Sequence, residues 1–369
     1  MFFRALASAT ASAAGTASAA RVPKPLPPPL RPLDTREVDT PFGLVLHMVV
    51  GQDAQGIVRA MQDLVFHQDD LKQPSVPHPR WFPGPNPVSL ERAFLDALDP
   101  RDYWICEKTD GTRCAMLFVL YLGHRIAALV DRNLHVYLLP LRAVPEVWFQ
   151  GTVLDGEVAY DKQAMRHRYL VFDTVMVSGI PQFHRRLSGR LDALGTAMQD
   201  YRAHPADAVG IVVKRFFPLT ALAAFRGSLP SIGARYDVDG VVLTPESDAI
   251  VYGRHMRLFK LKPFGGPAAH TVDFLLAADG VTLQVYAGAG RHAVVGKLTE
   301  PWGGDAAAAA AVVVECTPCD DRATGWRVVK ARTDKSTAND MCTFEKTLLN
   351  IREGLTLDDL MARVAAAAT

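Results

Sequence analysis

The spacing of apolar positions changes along this chain, and each change predicts a change of element. Over residues 51–67 they fall at Ile57, Met61, Leu64 and Val65, the spacing of one amphipathic helix. Ser89 stands where an N-cap would, ahead of a short helix through Leu98 with Arg92 and Ala93 early in it. From Trp104 the apolar runs shorten and turn residues separate them. Residues 114–122, 125–130 and 134–139 read as an antiparallel meander, turning at Gly123-His124 and Asp131-Arg132-Asn133. Residues 152–160 and 169–175 add two strands, 187–201 a helix, and 210–213, 240–243 and 256–261 continue the sheet. The pattern predicts an α+β domain ending near Lys262-Pro263.

After Gly265-Gly266 come four more short strands, at 271–277, 282–286, 312–316 and 326–331, with glycine turns that fit a small β-barrel. The tail over 343–367 is helical by composition, with Thr356 as N-cap. The proline-dense stretch 74–87 reads as an ordered loop or boundary, and the alanine run 306–311 as a loop or short helix. No internal repeat is visible.

Composition narrows the function classes. Apolar residues make up 49%, enough for a sizeable core, yet no run of about 18 strongly apolar residues suggests a membrane span. With 40 basic and 39 acidic residues the net charge is +1, so any basic surface must be built locally by the fold. Five scattered cysteines in a long chain read as reduced thiols in a cytosolic or nuclear setting. Cys316 and Cys319 have CxxC spacing, but a tetrahedral zinc site needs two further ligands, and none is near in sequence. Residues 1–33 contain no acid, are rich in Ala and Ser, and carry Arg4 and Arg21. That suits either an organelle transit peptide or a low-complexity tail. Residues 1 to about 40 are therefore set outside the fold, and 24–32 is too proline-rich for regular helix.

The chemistry centres on Glu107-Lys108-Thr109-Asp110-Gly111-Thr112-Arg113, a lysine at a strand edge followed by a turn and an arginine. It reads as a nucleophilic amine with a ribose or phosphate anchor, or as a surface hairpin of mixed charge. Further strings follow in order: Leu154-Asp155-Gly156-Glu157, Tyr169-Leu170-Val171-Phe172-Asp173 and Asp237-Val238-Asp239-Gly240-Val241-Val242. In Leu258-Phe259-Lys260-Leu261-Lys262-Pro263 two lysines stand two apart, on one face of a strand. Last comes the string from Trp326 through Lys330, Arg332, Asp334 and Lys335, with Asn339 after it. Taken singly, each has a bland reading as turn, core or solvated face.

As an ordered set they resemble the covalent nucleotidyltransferases: capping enzymes and ATP- or NAD-dependent ligases. Phe82-Pro83-Gly84-Pro85-Asn86-Pro87-Val88-Ser89 and the Trp326 string resemble capping guanylyltransferases rather than ligases. Thr271-Val272-Asp273-Phe274 and Ile351-Arg352-Glu353-Gly354-Leu355-Thr356 also look like that family, and the resemblance spans roughly residues 42–365. Lys330 stands where the family usually has an arginine, which keeps the charge but loses the bidentate fork.

The resemblance implies an antiparallel-sheet nucleotidyltransferase domain over 42–264. An OB-fold barrel acting as a lid would follow over 265–341, then a helical tail over 342–369 packing back on the first domain; 1–41 stays an extension. It implies that Lys108 attacks the α-phosphorus of GTP, helped by Lys260 and Lys262. Arg113 and Glu157 would hold the ribose, Phe172 would stack on guanine and Lys214 would read its carbonyl. Glu107 and Asp110 would complete the nucleotide site. Lys330, Arg332, Asp334 and Lys335 would close over the β- and γ-phosphates, and Asp239 would hold Mg²⁺ or Mn²⁺. The acceptor would be 5′-diphosphate RNA. An RNA triphosphatase and a cap methyltransferase would be separate proteins, and a nuclear enzyme would meet the phosphorylated tail of RNA polymerase II. No membrane partner is implied; the location would be the nucleus, a host-cell compartment for a viral enzyme, or an organelle if the extension targets one. An ATP-dependent RNA or DNA ligase and a non-catalytic RNA-binding scaffold remain the alternatives.

Overall fold

A computed structural model describes residues 30–66, 82–264, 266–302, 312–332 and 335–367. The transit-like stretch 1–29, most of the proline-dense segment, the alanine run and Asp334 lie outside the described residues.

Where the apolar pattern predicted one sheet in the first domain, the chain builds two. The larger runs Thr35–Asp39, Val45–Val49, Val136–Leu138, His124–Val130, Thr112–Tyr121, Thr152–Asp161, Arg166–Val177, Ile180–Pro181. Gly210–Val213 joins it in parallel on Arg166–Val177. Its central strand Thr112–Tyr121 is apolar at successive positions because both faces are covered. Cys114, Met116 and Phe118 enter one core with Trp148 and Leu194. Ala115, Leu117 and Val119 enter another, under Ile57, Met61 and Val65 of the Gly51–Val65 helix.

The second sheet runs Phe217–Pro218, Tyr103–Thr109, Val238–Pro245, Gly253–Leu261, Pro85–Ser89. Ile105, Val241, Leu243 and Phe259 pack there against Phe225 of the Leu222–Gly233 helix and against Leu355, Leu357 and Leu360 of the tail. The third sheet runs His292–Lys297, Thr282–Tyr286, Val272–Leu276, Val313–Pro318, Trp326–Ala331 around Phe274 and Trp326. Its two ends approach each other: Leu298 bridges Trp326, and the Thr299 amide donates to the Trp326 carbonyl at 2.9 Å. The whole is α+β with mostly antiparallel pairing.

Several expectations are corrected. Ser89 ends a strand instead of capping a helix; the helix is Arg92–Ala97, and Glu91 is its N-cap residue without a side-chain bond. Pro85 and Pro87 have no amide hydrogen to donate to a ladder, and a sheet edge tolerates that loss. Thr35–Asp39, inside the segment set aside, is an edge strand paired with Val45–Val49. The tail is two helices, Met341–Glu353 and Leu357–Ala366, broken at Gly354 with φ of 53°. The first buries Phe344 and Ile351 in the third-sheet core, and the second packs on the second sheet. Thr356 does cap the last helix, in a reciprocal box with Asp359.

Candidate active site

The turn at Asp110-Gly111 carries the chain from the second sheet to the first. Lys108 therefore stands on one sheet, in Tyr103–Thr109, and Arg113 on the other, in Thr112–Tyr121. Lys108 Nζ donates to both oxygens of Asp239, at 2.6 and 2.9 Å. Lys262 Nζ reaches the same carboxylate at 3.0 Å and the Ala269 carbonyl at 3.2 Å. Burial alone would raise the Asp239 pKa, but Lys108 and Lys262 outweigh it and hold the carboxyl below its usual value. Burial, with Lys108, Lys262 and Arg132 nearby, lowers the Lys260 pKa.

A bulge aims Asp239 at these lysines. The ladder pairs Val238 with Thr109 and Gly240 with Lys108, so Asp239 is the extra residue between them. Gly240 must lack a side chain, because a Cβ there would lie 2.2 Å from the Leu261 carbonyl oxygen. A second bulge presents Phe172: Asp155 pairs with Asp173 and Gly156 with Val171, leaving Phe172 unmatched and only partly buried.

The Phe82 string turns out to be the clamp on Arg113. The guanidinium lies 5.0 Å from the Phe82 ring centre and 5.4 Å from that of Phe172, and it donates to the Pro85 carbonyl at 2.8 Å. Its Nε donates to Asp155 Oδ1 at 2.9 Å, and Nη2 pairs with Oδ2. A Cβ on Gly84 would stand 2.2 Å from Asp155 Oδ2, so only glycine lets this loop lie over the pair. Lys214 is buried with its ammonium on three acceptors: Glu157 at 2.6 Å, Thr109 Oγ1 at 2.8 Å and the Glu107 carbonyl at 3.0 Å. Burial raises the nearby Glu107 carboxyl. Asp110 sits exposed on the turn, its amide donating to the Asp237 carbonyl at 2.8 Å.

Lys330, Arg332 and Lys335 gather on the second domain around two acids that sequence reasoning gave no role, Asp273 and Glu315. Arg332 lies 3.0 Å from Asp273 and 3.5 Å from Glu315; Lys330 lies 3.5 Å from Glu315, and Lys335 pairs with Asp273. The Asn339 side chain accepts from the Asp273 amide, and its own amide donates to the Asp273 carbonyl, both at 2.8 Å. Arg132 was also missed, read only as part of a turn. It is exposed, and its Nη2 reaches Asn86 Oδ1 at 3.3 Å. The missing signal in both cases is tertiary: nothing local marks a turn arginine or a strand aspartate as a site residue.

Among the described residues no three His, Cys, Asp or Glu side chains gather as a metal cage. Asp239 is a lone carboxylate, a donor set that fits an ion taking one carboxylate and completing its shell with phosphate oxygens and water.

A family model described as mRNA capping enzyme, catalytic domain, matches residues 47–264, and one described as mRNA capping enzyme, C-terminal domain, matches residues 270–361. The chain belongs to the mRNA capping enzyme family. The mRNA-capping enzyme subunit alpha of Schizosaccharomyces pombe is 28% identical over 331 residues, spanning 77% of this chain and 80% of that protein. The subunit alpha of Yarrowia lipolytica is 27% identical, spanning 76% of this chain and 81% of that protein. A structure of mycobacterial DNA ligase D with ATP aligns over 68% of this chain and 94% of its own at 15% identity, with a TM-score of 0.38, too low to carry weight. The capping matches divide between Phe264 and His270, next to Lys262 and Ala269, so the two family segments meet at the lysine cluster.

Proposed function

We propose that Lys108 takes GMP from GTP as a phosphoramidate and passes it to the 5′-diphosphate end of RNA. The chain is an mRNA guanylyltransferase by family. The observation that supports this nucleophile is the packing of Lys108 and Lys262 on Asp239, with Lys260 beside them, where the two sheets meet.

A lysine amine ordinarily titrates near 10.4 and must lose its proton before it attacks. In this arrangement Asp239 favours the ammonium while Lys260 and Lys262 oppose it. Mg²⁺ or Mn²⁺, held by Asp239 and phosphate oxygens, would supply positive charge against the triphosphate. Asp239, once turned from Lys108, no longer stabilises its ammonium, and like-charge repulsion from Lys260 and Lys262 then favours the neutral amine. Lys108 Nζ forms a bond to the α-phosphorus as the α–β bridging P–O bond breaks and pyrophosphate leaves. Lys260 and Lys262 hold the α-phosphate oxygens as charge develops. A terminal oxygen of the RNA diphosphate then attacks the same phosphorus, the P–N bond breaks, and Lys108 recovers a proton. The product is a 5′–5′ triphosphate linkage.

Arg113 and Glu157 bind the ribose hydroxyls as donor and acceptor, and Phe172 stacks on the base. Lys214 fixes Glu157 and Thr109; reading a guanine carbonyl requires it to exchange one of those acceptors. Glu107 and Asp110 border the nucleotide, and Lys330, Arg332, Asp334 and Lys335 close over the outer phosphates. Arg132 joins them as a further phosphate contact. The RNA triphosphatase and cap methyltransferase are separate partners, the phosphorylated polymerase tail is a third, and the nucleus is the site of action.

The test is incubation with α-³²P GTP or α-³²P ATP and Mg²⁺, resolved on a denaturing gel, with Lys108→Ala alongside. The expected band is GTP-dependent, acid-labile, reversed by pyrophosphate and absent in the variant. Label from ATP alone, or label that survives in Lys108→Ala, would overturn the assignment.

A further inference from the structure

A cavity of about 180 Å³ lies where four parts of the chain meet: the Pro85–Ser89 strand, the end of Gly253–Leu261, the start of the second domain, and the Met341–Glu353 helix. Its polar lining includes Ser89, Lys260, Lys262, His270, Thr347 and Asn350. Two of these groups are out of balance. Asn350 Oδ1 is buried and has no hydrogen-bond partner among the described residues. Lys260 is half-buried beside Lys108 and Lys262, with no carboxylate in ion-pair distance among the described residues. A buried acceptor left unmade is destabilising, so a packed helix retains one where a ligand or water satisfies it.

The chemistry of an occupant follows from the lining. Two ammonium groups and the ring of His270 offer donors to an oxyanion; burial and both lysines depress the His270 pKa and so favour a neutral ring with one N–H. Asn350 Oδ1 asks for one donor in return. A phosphate oxygen bearing a proton satisfies both, and the volume is several waters' worth, since each water fills about 30 Å³ in the liquid. A fully apolar ligand would leave Lys260 without a counter-charge, and a cation would face both lysines directly.

We propose that this junction cavity is an oxyanion subsite for a phosphate group, with Thr347 and Asn350 of the C-terminal helix as its specificity residues. The inference rests on the capping reading only for the sources of that phosphate: the pyrophosphate released from GTP, or the terminal phosphate of the incoming RNA. Both enter beside Lys260 and Lys262. Thr347 Oγ1 already donates to the Thr343 carbonyl at 2.8 Å, so it can serve a ligand only as an acceptor, from a protonated phosphate oxygen. A phosphate held here would contact both domains and the tail helix at once.

Binding, not turnover, tests this and keeps it separate from the capping assignment. Pyrophosphate, inorganic phosphate and a short 5′-diphosphate RNA are titrated calorimetrically into the full chain and into Asn350→Leu and Thr347→Val. Unfolding curves verify that each variant folds, and Asn350→Asp supplies a repulsive charge at the same place should the leucine disrupt packing. Pyrophosphate affinity is expected to fall about tenfold in Asn350→Leu, and further in Asn350→Asp. Loss for pyrophosphate alone assigns the cavity to the leaving group; loss for the RNA as well assigns it to the incoming end. Folded variants that bind all three like the wild type would overturn the proposal, whatever their activity with GTP.

Discussion

At the scale of single residues, close approach and compensated charge govern this protein. The glycines at 156 and 240 were legible only as partners of acids and Gly84 only as one residue of a proline-rich string, yet each makes room for a neighbour within 2.2–2.6 Å of a would-be Cβ. Gly240→Ala is expected to destabilise the chain by about 1–3 kcal/mol, because the obstructing atom is the Leu261 backbone and cannot rotate away. Urea unfolding measures this; an unchanged midpoint would mean that the two strands separate freely. Charge has its own test at Asp161. Burial would raise its pKa, but Arg235 and the amides of Ala164 and Gln163 hold it at about 2, against 3.8 as a free residue. A depressed carboxyl stabilises the fold above its unfolded pKa and loses that contribution as pH falls toward the folded one. Between pH 4 and 2, therefore, the wild type should lose stability more steeply than Asp161→Asn. Parallel curves of unfolding free energy against pH would remove Asp161 as the cause.

At the scale of elements, strand character was easier to read than strand partnership. The run from Cys114 to Val119 announced a strand, and its unbroken apolarity matches a strand covered on both faces. Nothing local placed Lys108 and Arg113 on different sheets, since that follows from which strands pair across the Asp110 turn. The bulges at Asp239 and Phe172 are likewise properties of a register, which a single strand's sequence does not contain. His292–Lys297 escaped notice because none of its side chains is fully buried, and Leu222–Gly233 because Gly227 and Pro230 interrupt it. The last helix was readable through Thr356, but its docking surface was not. Leu360 is fully buried against the second sheet, so Leu360→Ala should cost about 2–5 kcal/mol. A loss below 1 kcal/mol in urea unfolding would show that this helix contributes little to the sheet that carries Lys108.

At the scale of the whole molecule, two sets of cations are arranged differently. Lys108 and Lys262 share one carboxylate in the first domain, and Arg332 and Lys335 share another, Asp273, in the second. The proposed mechanism sets the reacting phosphorus of the triphosphate on the first set and its outer phosphates on the second. Lysyl-GMP keeps only the α-phosphate. If the second domain acts through the outer phosphates, its cations matter for loading Lys108 and much less for unloading it. Arg332→Ala leaves Asp273 paired with Lys335 and bracketed by Asn339, so the local fold should persist. Labelling by GTP is then expected to slow at least tenfold, about 1.4 kcal/mol of transition-state stabilisation. Transfer to diphosphate RNA, measured in a single turnover from enzyme loaded at high GTP and stripped of free nucleotide, should stay within about twofold of wild type, ~0.4 kcal/mol on the same scale. Equal losses in both steps would mean that Arg332 also serves the incoming RNA, and the second domain would then act throughout the cycle instead of in its first half.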